Sequence, residues 1–177
     1  MALSYKNLIK GIYYPPGDKS ISHRAIILTS QTVGKSTITN LLEGEDVLNT
    51  VKAMKTLGAN ILYKDNKYIV YGLPPGSLHQ PKNNIDFGNS GTGIRLLSGL
   101  IASNNISAKL IGDKSLSKRP MKRVTDHLLK FGAKIKLYKK KYPPIKINGV
   151  GDAIPLKYEI SIPSAQIKSA IMLSALN

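Results

Sequence analysis

Gly58-Ala59-Asn60-Ile61 returns 74 residues later as Gly132-Ala133-Lys134-Ile135, and Arg24 returns after 71 residues as Arg95. A period of about seventy residues is longer than the common solenoid periods, so it marks duplication inside a globular domain and not a stacked array. The 177-residue chain holds two such copies and the opening of a third. Its fold must therefore build one arrangement at least twice.

Each copy opens on a similar stretch. The first is Pro16-Gly17-Asp18-Lys19-Ser20-Ile21-Ser22-His23-Arg24. Pro and Gly break the chain, Ser20 is a good helix-opening residue, and Ile21, Ala25 and Leu28 recur at helical spacing. This predicts a helix from near Ser20 to about Ser30, with Arg24 one turn in. The unpaired N–H groups and partial positive charge of a helix start, with Lys19 beside them, suit a small carboxylate or phosphate ligand. Basic residues at a helix start are more often solvated surface, and repetition is what favours a site here. The outline recurs in Asp86-Phe87-Gly88-Asn89-Ser90-Gly91-Thr92-Gly93-Ile94-Arg95 and in Ile162-Pro163-Ser164-Ala165-Gln166-Ile167-Lys168.

Between these stretches the elements follow one order. Copy one reads as a strand over 8–14, the Ser20 helix, a strand over 37–40, and a helix with acids Glu43, Glu45 and Asp46 at its start. Val47, Val51 and Met54 face inward on that helix and Gly58 stops it. A hairpin then pairs 59–63 with 68–71 around Lys64-Asp65-Asn66-Lys67. Copy two repeats this with a strand at Ile85 and Asp86, a helix through Ile94, Leu97 and Ile101, and a strand over 108–111. A helix opened by Pro120 follows, burying Val124, Leu128 and Phe131 before Gly132. Copy three opens with a strand over 158–162 and a helix over 164–176, apolar on most faces and so suited to burial. Its second helix and last strands do not occur before Asn177, so the chain reads as a fragment.

Composition bounds the function. An apolar fraction of 42% is ordinary for a globular domain, and the absence of cysteine removes disulfides, thiolate metal sites and a cysteine nucleophile. The N-terminus lacks the apolar segment of a signal peptide and no run approaches membrane-spanning length, which predicts a cytoplasmic protein with no membrane partner. A net charge of +16 raises nucleic acid as a partner. Only four of the 26 basic residues are arginine, however, and Arg24, Arg95, Arg119 and Arg123 all lie in or beside the motif stretches. These are positions that suit a flat, bidentate donor. The densest lysine run, Lys134-Ile135-Lys136-Leu137-Tyr138-Lys139-Lys140-Lys141-Tyr142, alternates like a solvated hairpin, which is favoured over a nucleic-acid groove.

Lookalike motifs fail on spacing. Gly34-Lys35-Ser36-Thr37 has Thr29 where a phosphate-binding loop needs its first glycine, and it reads as a turn. Gly91-Thr92-Gly93 has Leu96 where a dinucleotide fingerprint needs its third glycine. His23, His79 and His127 lack paired metal-ligand spacing.

Five stretches together resemble the N-terminal half of the 5-enolpyruvylshikimate-3-phosphate synthase (3-phosphoshikimate 1-carboxyvinyltransferase) family. They are the Pro16–Arg24 stretch, Leu42-Glu43-Gly44-Glu45-Asp46-Val47, Asp86-Phe87-Gly88-Asn89-Ser90-Gly91-Thr92, Gly112-Asp113-Lys114-Ser115-Leu116-Ser117-Lys118-Arg119-Pro120-Met121 and Ser164-Ala165-Gln166-Ile167-Lys168-Ser169-Ala170. Ser-Ala-Gln in place of Ser-Ser-Gln, with His23, is similar to the bacterial class II branch. The resemblance implies an α/β fold, the enolpyruvyl transferase-like inverse α/β barrel of repeated βαβαββ units, with the third unit truncated. It implies that residues 1–16 are a strand segment packing with a second domain. Residues 17–177 are then the first domain, in units of about 17–80, 81–157 and 158–177.

The family reaction joins the 5-hydroxyl of shikimate 3-phosphate to C2 of phosphoenolpyruvate and releases phosphate. It implies no cofactor and no metal, small anionic substrates as the partners, no nucleic acid, and a monomer when full length. Carried over by motif, Lys19 is the catalytic lysine touching both substrates. Ser20 and Arg24 grip the carboxylate region of shikimate 3-phosphate, and Ser164, the Ala165 backbone and Gln166 surround its phosphate and ring. Gly91, Arg119 and Gln166 stand at the phosphoenolpyruvate side, with Asn89 and Thr92 shaping that loop, while Arg95 and Arg123 are expected in structural pairing. Ala165 removes one hydroxyl from the phosphate pocket. The family's acid/base carboxylates fall outside the matched stretches, so turnover by this chain alone is not expected. The sister enzyme acting on a UDP-sugar (UDP-N-acetylglucosamine) is the alternative within the fold, and a basic nucleic-acid-binding module the alternative outside it.

Overall fold

The computed structural model describes residues 10–160 and 163–177. Helix α1 (Lys19–Ser30) is followed by β1 (Gly34–Thr39), α2 (Glu45–Thr56), β2 (Asn60–Lys64) and β3 (Lys67–Gly72). The second series is β4 (Ile85–Asp86), α3 (Gly91–Ala102), β5 (Ser107–Ile111), α4 (Lys122–Leu128), β6 (Lys134–Tyr138) and β7 (Tyr142–Asn148), and α5 (Ala165–Ser174) ends the chain.

The duplication read from sequence is a duplication of topology. One sheet has the order β1-β3-β2 and the other β4-β5-β7-β6, so β1, β2 and β3 correspond to β5, β6 and β7. Both hairpins turn through two residues in the left-handed region, Asp65 and Asn66 in one and Lys139 and Lys140 in the other. Gly58 and Gly132, at φ +107° and +96°, follow corresponding helices, where a left-handed residue ends the helix and glycine meets no Cβ penalty.

The core forms between the sheets and the helices. Val47, Val51 and Met54 of α2 are buried as expected, with Ile26 and Ile27 of α1, Ile61 and Val70 of the first sheet, and Leu110, Ile145 and Ile147 of the second. Each such side chain contributes about 1.5–3 kcal/mol by leaving water. Helix α3 is central: ten of its twelve residues are buried, so it must accept neighbours all round. Two glycines let them approach. A Cβ on Gly93 would stand 2.7 Å from Thr50 Oγ1 of α2, and one on Gly99 would run into the backbone carbonyl of Ala170 in α5. Helix α3 thereby packs closely on both α2 and α5.

Several local expectations are corrected. Helix α1 starts at Lys19 and its cap is Asp18, whose Oδ1 accepts from Ile21 N at 2.7 Å, because the carboxylate one position before the helix is placed to meet the free amide and the Ser20 hydroxyl, already inside the helix, is not. Gly34 to Thr37 is no turn but the start of β1, paired with β3 from Gly34↔Gly72 onward. Helix α4 begins two residues after Pro120, with Met121 as its cap. Residues 10–14 form no strand, and Tyr13 and Tyr14 lie more than three-quarters exposed; the rest of that expected strand lies outside the described residues. The strand expected over 158–162 is likewise absent from 158–160, and 161–162 lie outside. Helix α5, expected to be buried, is covered on one side only: Ile167, Ala170, Ile171 and Leu173 are buried, but Met172 is 60% exposed.

Candidate functional site

Gln166 joins two of the motif helices. It is the second residue of α5, its Nε2 donates to Thr92 Oγ1 at 3.1 Å, and its Oε1 accepts from Arg95 Nη1 at 3.1 Å, both partners lying on α3. Ser164 caps α5, its Oγ accepting from Ile167 N at 3.4 Å, and exposed Ala165 follows as the first helical residue.

Around Gly91 two guanidiniums meet. A Cβ on Gly91 would lie 3.0 Å from Nη1 of both Arg95 and Arg119, so only glycine leaves both ends undisturbed. Arg95 also donates to Gly91 O and Pro120 O. Arg119 donates to Asn89 Oδ1 and, at 3.4 Å, to Ser115 Oγ. Asn89 is itself held by donating to Asp113 Oδ2 at 2.8 Å, while Asp113 Oδ1 accepts from Leu116 N at 2.7 Å. The Leu116 amide first, and then Asn89, hold the Asp113 carboxyl below the usual carboxylate range. Burial, then the neighbouring charges of Arg119 and Arg123, push Arg95 down. Among the described residues the ion pairs are Lys19–Asp46 and Lys122–Asp126, so no arginine has a carboxylate partner. Three arginines drawn together with no carboxylate in direct contact, Asp113 standing off behind Asn89, make a place for an anion.

The α1 motif adjoins this cluster. Arg24 donates to Ser169 Oγ of α5 from Nη2 at 2.7 Å and Nε at 3.2 Å, and to Ser20 O at 3.0 Å. Ser169 passes the bond on to Ala165 O at 2.7 Å. Lys19 pairs with Asp46 of α2, and exposed Ser20 sits beside it in the first turn. Below them His23 is fully buried with Nδ1 2.8 Å from Thr50 Oγ1, under Gly93. Burial pulls its pKa down to about 4, with Lys19 and Arg24 adding to that and Asp46 opposing it, so the imidazole is neutral at pH 7.

A cavity of about 230 Å³ opens between α4 and α5, lined by Arg95, Pro120, Arg123, Ser164 and Gln166 among others. A larger opening near Lys82 and Lys109 contains no motif residue. Of the sequence candidates, Asn89, Gly91, Thr92, Arg119 and Gln166 form one connected cluster. Arg24 and Ala165 join it through Ser169, and Lys19 and Ser20 stand at its α1–α2 edge. Arg95 is paired as expected, donating to Gly91 O, Pro120 O and Gln166 Oε1 where α5 crosses α3. Arg123 departs from that expectation, with no hydrogen bond or ion pair among the described residues. Asp113 and Ser169 were not singled out. The signal for Asp113 is there: Gly112-Asp113-Lys114-Ser115 repeats Gly17-Asp18-Lys19-Ser20, and both aspartates accept from the amide three residues on.

The family model described as EPSP synthase (3-phosphoshikimate 1-carboxyvinyltransferase) matches residues 4–177. The chain belongs to the EPSP synthase family. It is 48% identical over 170 residues to the 3-phosphoshikimate 1-carboxyvinyltransferase of Ruegeria sp. (strain TM1040), covering 96% of this chain and 38% of that protein. Against the enzyme of the same name from Zymomonas mobilis subsp. mobilis it is 48% identical over 171 residues, with the same two coverages. The EPSP synthase structure from Acinetobacter baumannii superposes with a TM-score of 0.87 at 38% identity, covering 93% of this chain and 37% of that one. The fold is therefore the family's α/β architecture of repeated units, and the chain spans 38% of the length of the curated relatives it matches. No helix of the described residues is long and apolar enough to cross a membrane.

Proposed function

We propose that this chain carries the N-terminal part of a site for enolpyruvyl transfer from phosphoenolpyruvate to the 5-hydroxyl of shikimate 3-phosphate, with release of phosphate. The observation that carries the reading is Gln166 held between Thr92 and Arg95 beside a group of arginines without carboxylate partners. Both substrates bring a carboxylate and a phosphate, and fixed guanidinium and amide donors offset that charge without reorganising during the reaction.

In this reading Lys19 exchanges its Asp46 partner for substrate oxygens, and Ser20 and Arg24 hold the acceptor's carboxylate region. Ser164, the Ala165 backbone and Gln166 hold its phosphate and ring. Arg119, steered by Asn89, faces phosphoenolpyruvate across Gly91, which leaves room for that smaller ligand, with Thr92 shaping the same loop. The acceptor oxygen bonds to C2 as C3 takes a proton, and the tetrahedral adduct then loses phosphate as C3 gives a proton up. This chain's share is binding and neutralisation, and the carboxylate beside Arg119, Asp113, is engaged by Asn89 and the Leu116 amide. Residues 1–16 are read as a segment preceding the repeat-built domain of 17–177, and the protein as cytoplasmic.

Titration calorimetry with shikimate 3-phosphate tests the reading. Stoichiometric binding, reduced about tenfold or more by Lys19→Ala or Arg24→Ala, is expected from loss of a charge-assisted contact. Binding of a UDP-sugar in its place, or none, contradicts it, as does steady phosphate release by the 177-residue chain with both substrates.

A further inference from the structure

The arginines of the cluster differ in how much of their bonding capacity is used. Arg95 donates to Gly91 O, Pro120 O and Gln166 Oε1, and Arg119 to Asn89 and Ser115. Arg123 makes no hydrogen bond or ion pair among the described residues, although it lines the 230 Å³ cavity opposite Ser164 and Gln166. The one acid on its own helix, Asp126, is occupied by Lys122. A guanidinium has five N–H donors in a planar fork, so all of them here are available to a ligand.

We propose that Arg123 is a direct contact to the phosphate of the acceptor substrate, closing the α4 side of the cavity whose α5 side is Ser164. This rests on the reading given above and adds a residue to it. The chemistry on the two walls is complementary to a phosphate monoester. Ser164 Oγ uses a lone pair to cap α5 and keeps its O–H hydrogen to donate. Arg123 supplies a bidentate cation from the opposite wall. Arg95, on the same lining, has its donors fixed on Gly91, Pro120 and Gln166, so it adds charge rather than a further contact. At about 230 Å³ the space is below the roughly 300–1,000 Å³ of drug-sized sites, as suits a small phosphorylated ring. The phosphate of phosphoenolpyruvate is the other source of this chemistry. Ser164 on the same lining favours the acceptor, because the enolpyruvate side lies across Gly91 beside Arg119.

Calorimetry on the 177-residue chain with shikimate 3-phosphate, shikimate and phosphoenolpyruvate separates these possibilities. Arg123→Gln is expected to weaken shikimate 3-phosphate about 10- to 100-fold, leave shikimate unchanged, and keep the urea midpoint, with Arg123→Lys recovering part of the loss. Equal losses for shikimate and shikimate 3-phosphate would make Arg123 a structural residue and overturn the assignment. So would a loss confined to phosphoenolpyruvate, or wild-type binding that Arg123→Gln does not change. If the wild-type chain bound neither shikimate nor its phosphate, the underlying reading would fail and the assignment with it.

Discussion

Arg24 and Ser169, 145 residues apart, are joined by two hydrogen bonds from one guanidinium to one hydroxyl, at 2.7 and 3.2 Å. Because Ser169 lies one turn beyond Gln166, the first motif helix is tied to the last at the edge of the arginine cluster. Ser169→Ala is expected to cost about 1–3 kcal/mol, since the guanidinium is half-buried and loses its partner. It should also weaken shikimate 3-phosphate by freeing Arg24 to move. Urea unfolding and calorimetry read the two effects. A stability loss without any change in affinity would separate Arg24 from the site.

The buried neutral imidazole of His23 makes stability depend on pH. Its folded pKa of about 4 lies below the ordinary histidine value of 6.5, so the unfolded chain binds the extra proton in that window. Stability is then complete above pH 6.5 and falls as the pH drops toward 4, by roughly 3 kcal/mol across the window. His23→Gln removes this part of the slope. The gap in urea midpoint between wild type and variant should therefore narrow between pH 6.5 and 4, and a constant gap contradicts the prediction.

Gly99 sets the approach of α3 and α5. Alanine in a helix interior gains up to about 1 kcal/mol over glycine from propensity. Here its methyl would meet the Ala170 carbonyl with no flexible atom to yield, and overpacking of that kind costs about 1–3 kcal/mol. The clash wins, so Gly99→Ala should lower the urea midpoint. A raised midpoint would show that the helices are not in backbone contact.

Gly91→Ala should behave oppositely. The atoms nearest its Cβ are the ends of Arg95 and Arg119, which can swing aside, so stability should stay within about 1 kcal/mol of wild type. Displaced guanidiniums and a smaller pocket should weaken phosphoenolpyruvate while sparing shikimate 3-phosphate. Calorimetry with each ligand checks this, and equal losses for both would contradict the division of the site at residue 91.

Much of this was legible because the chain states its pattern twice. The repeat offset placed β1, β2 and β3 against β5, β6 and β7, and Gly58 marks the end of α2 as read. Helix α4, in contrast, stops at Leu128, and a tighter 3-10 turn over Leu129–Phe131 carries the chain to Gly132. Local chemistry was less readable where two residues competed for one role. Asp18 and Ser20 both suit a helix start, and only the geometry shows that the carboxylate reaches the Ile21 amide. The pairing of Arg95 was readable but its partner Gln166 was not, and Ser169 was not readable at all, because the partners lie 71 and 145 residues away and helical spacing says nothing about where one helix crosses another. The alternation of Lys134, Lys136 and Tyr138 did show its meaning, as the exposed face of a hairpin whose Ile135 and Leu137 turn inward.

The account depends on the starts of α1, α3 and α5 serving one anionic ligand together. Backbone amide NMR of the 177-residue chain titrated with shikimate 3-phosphate tests this most directly. Saturable shifts confined to residues near Lys19–Arg24, Gly91–Arg95 and Ser164–Gln166, all with one dissociation constant, are predicted. Shifts spread over the lysines of the β6–β7 hairpin and fading steeply with added salt, or separate constants for the three helix starts, would contradict it.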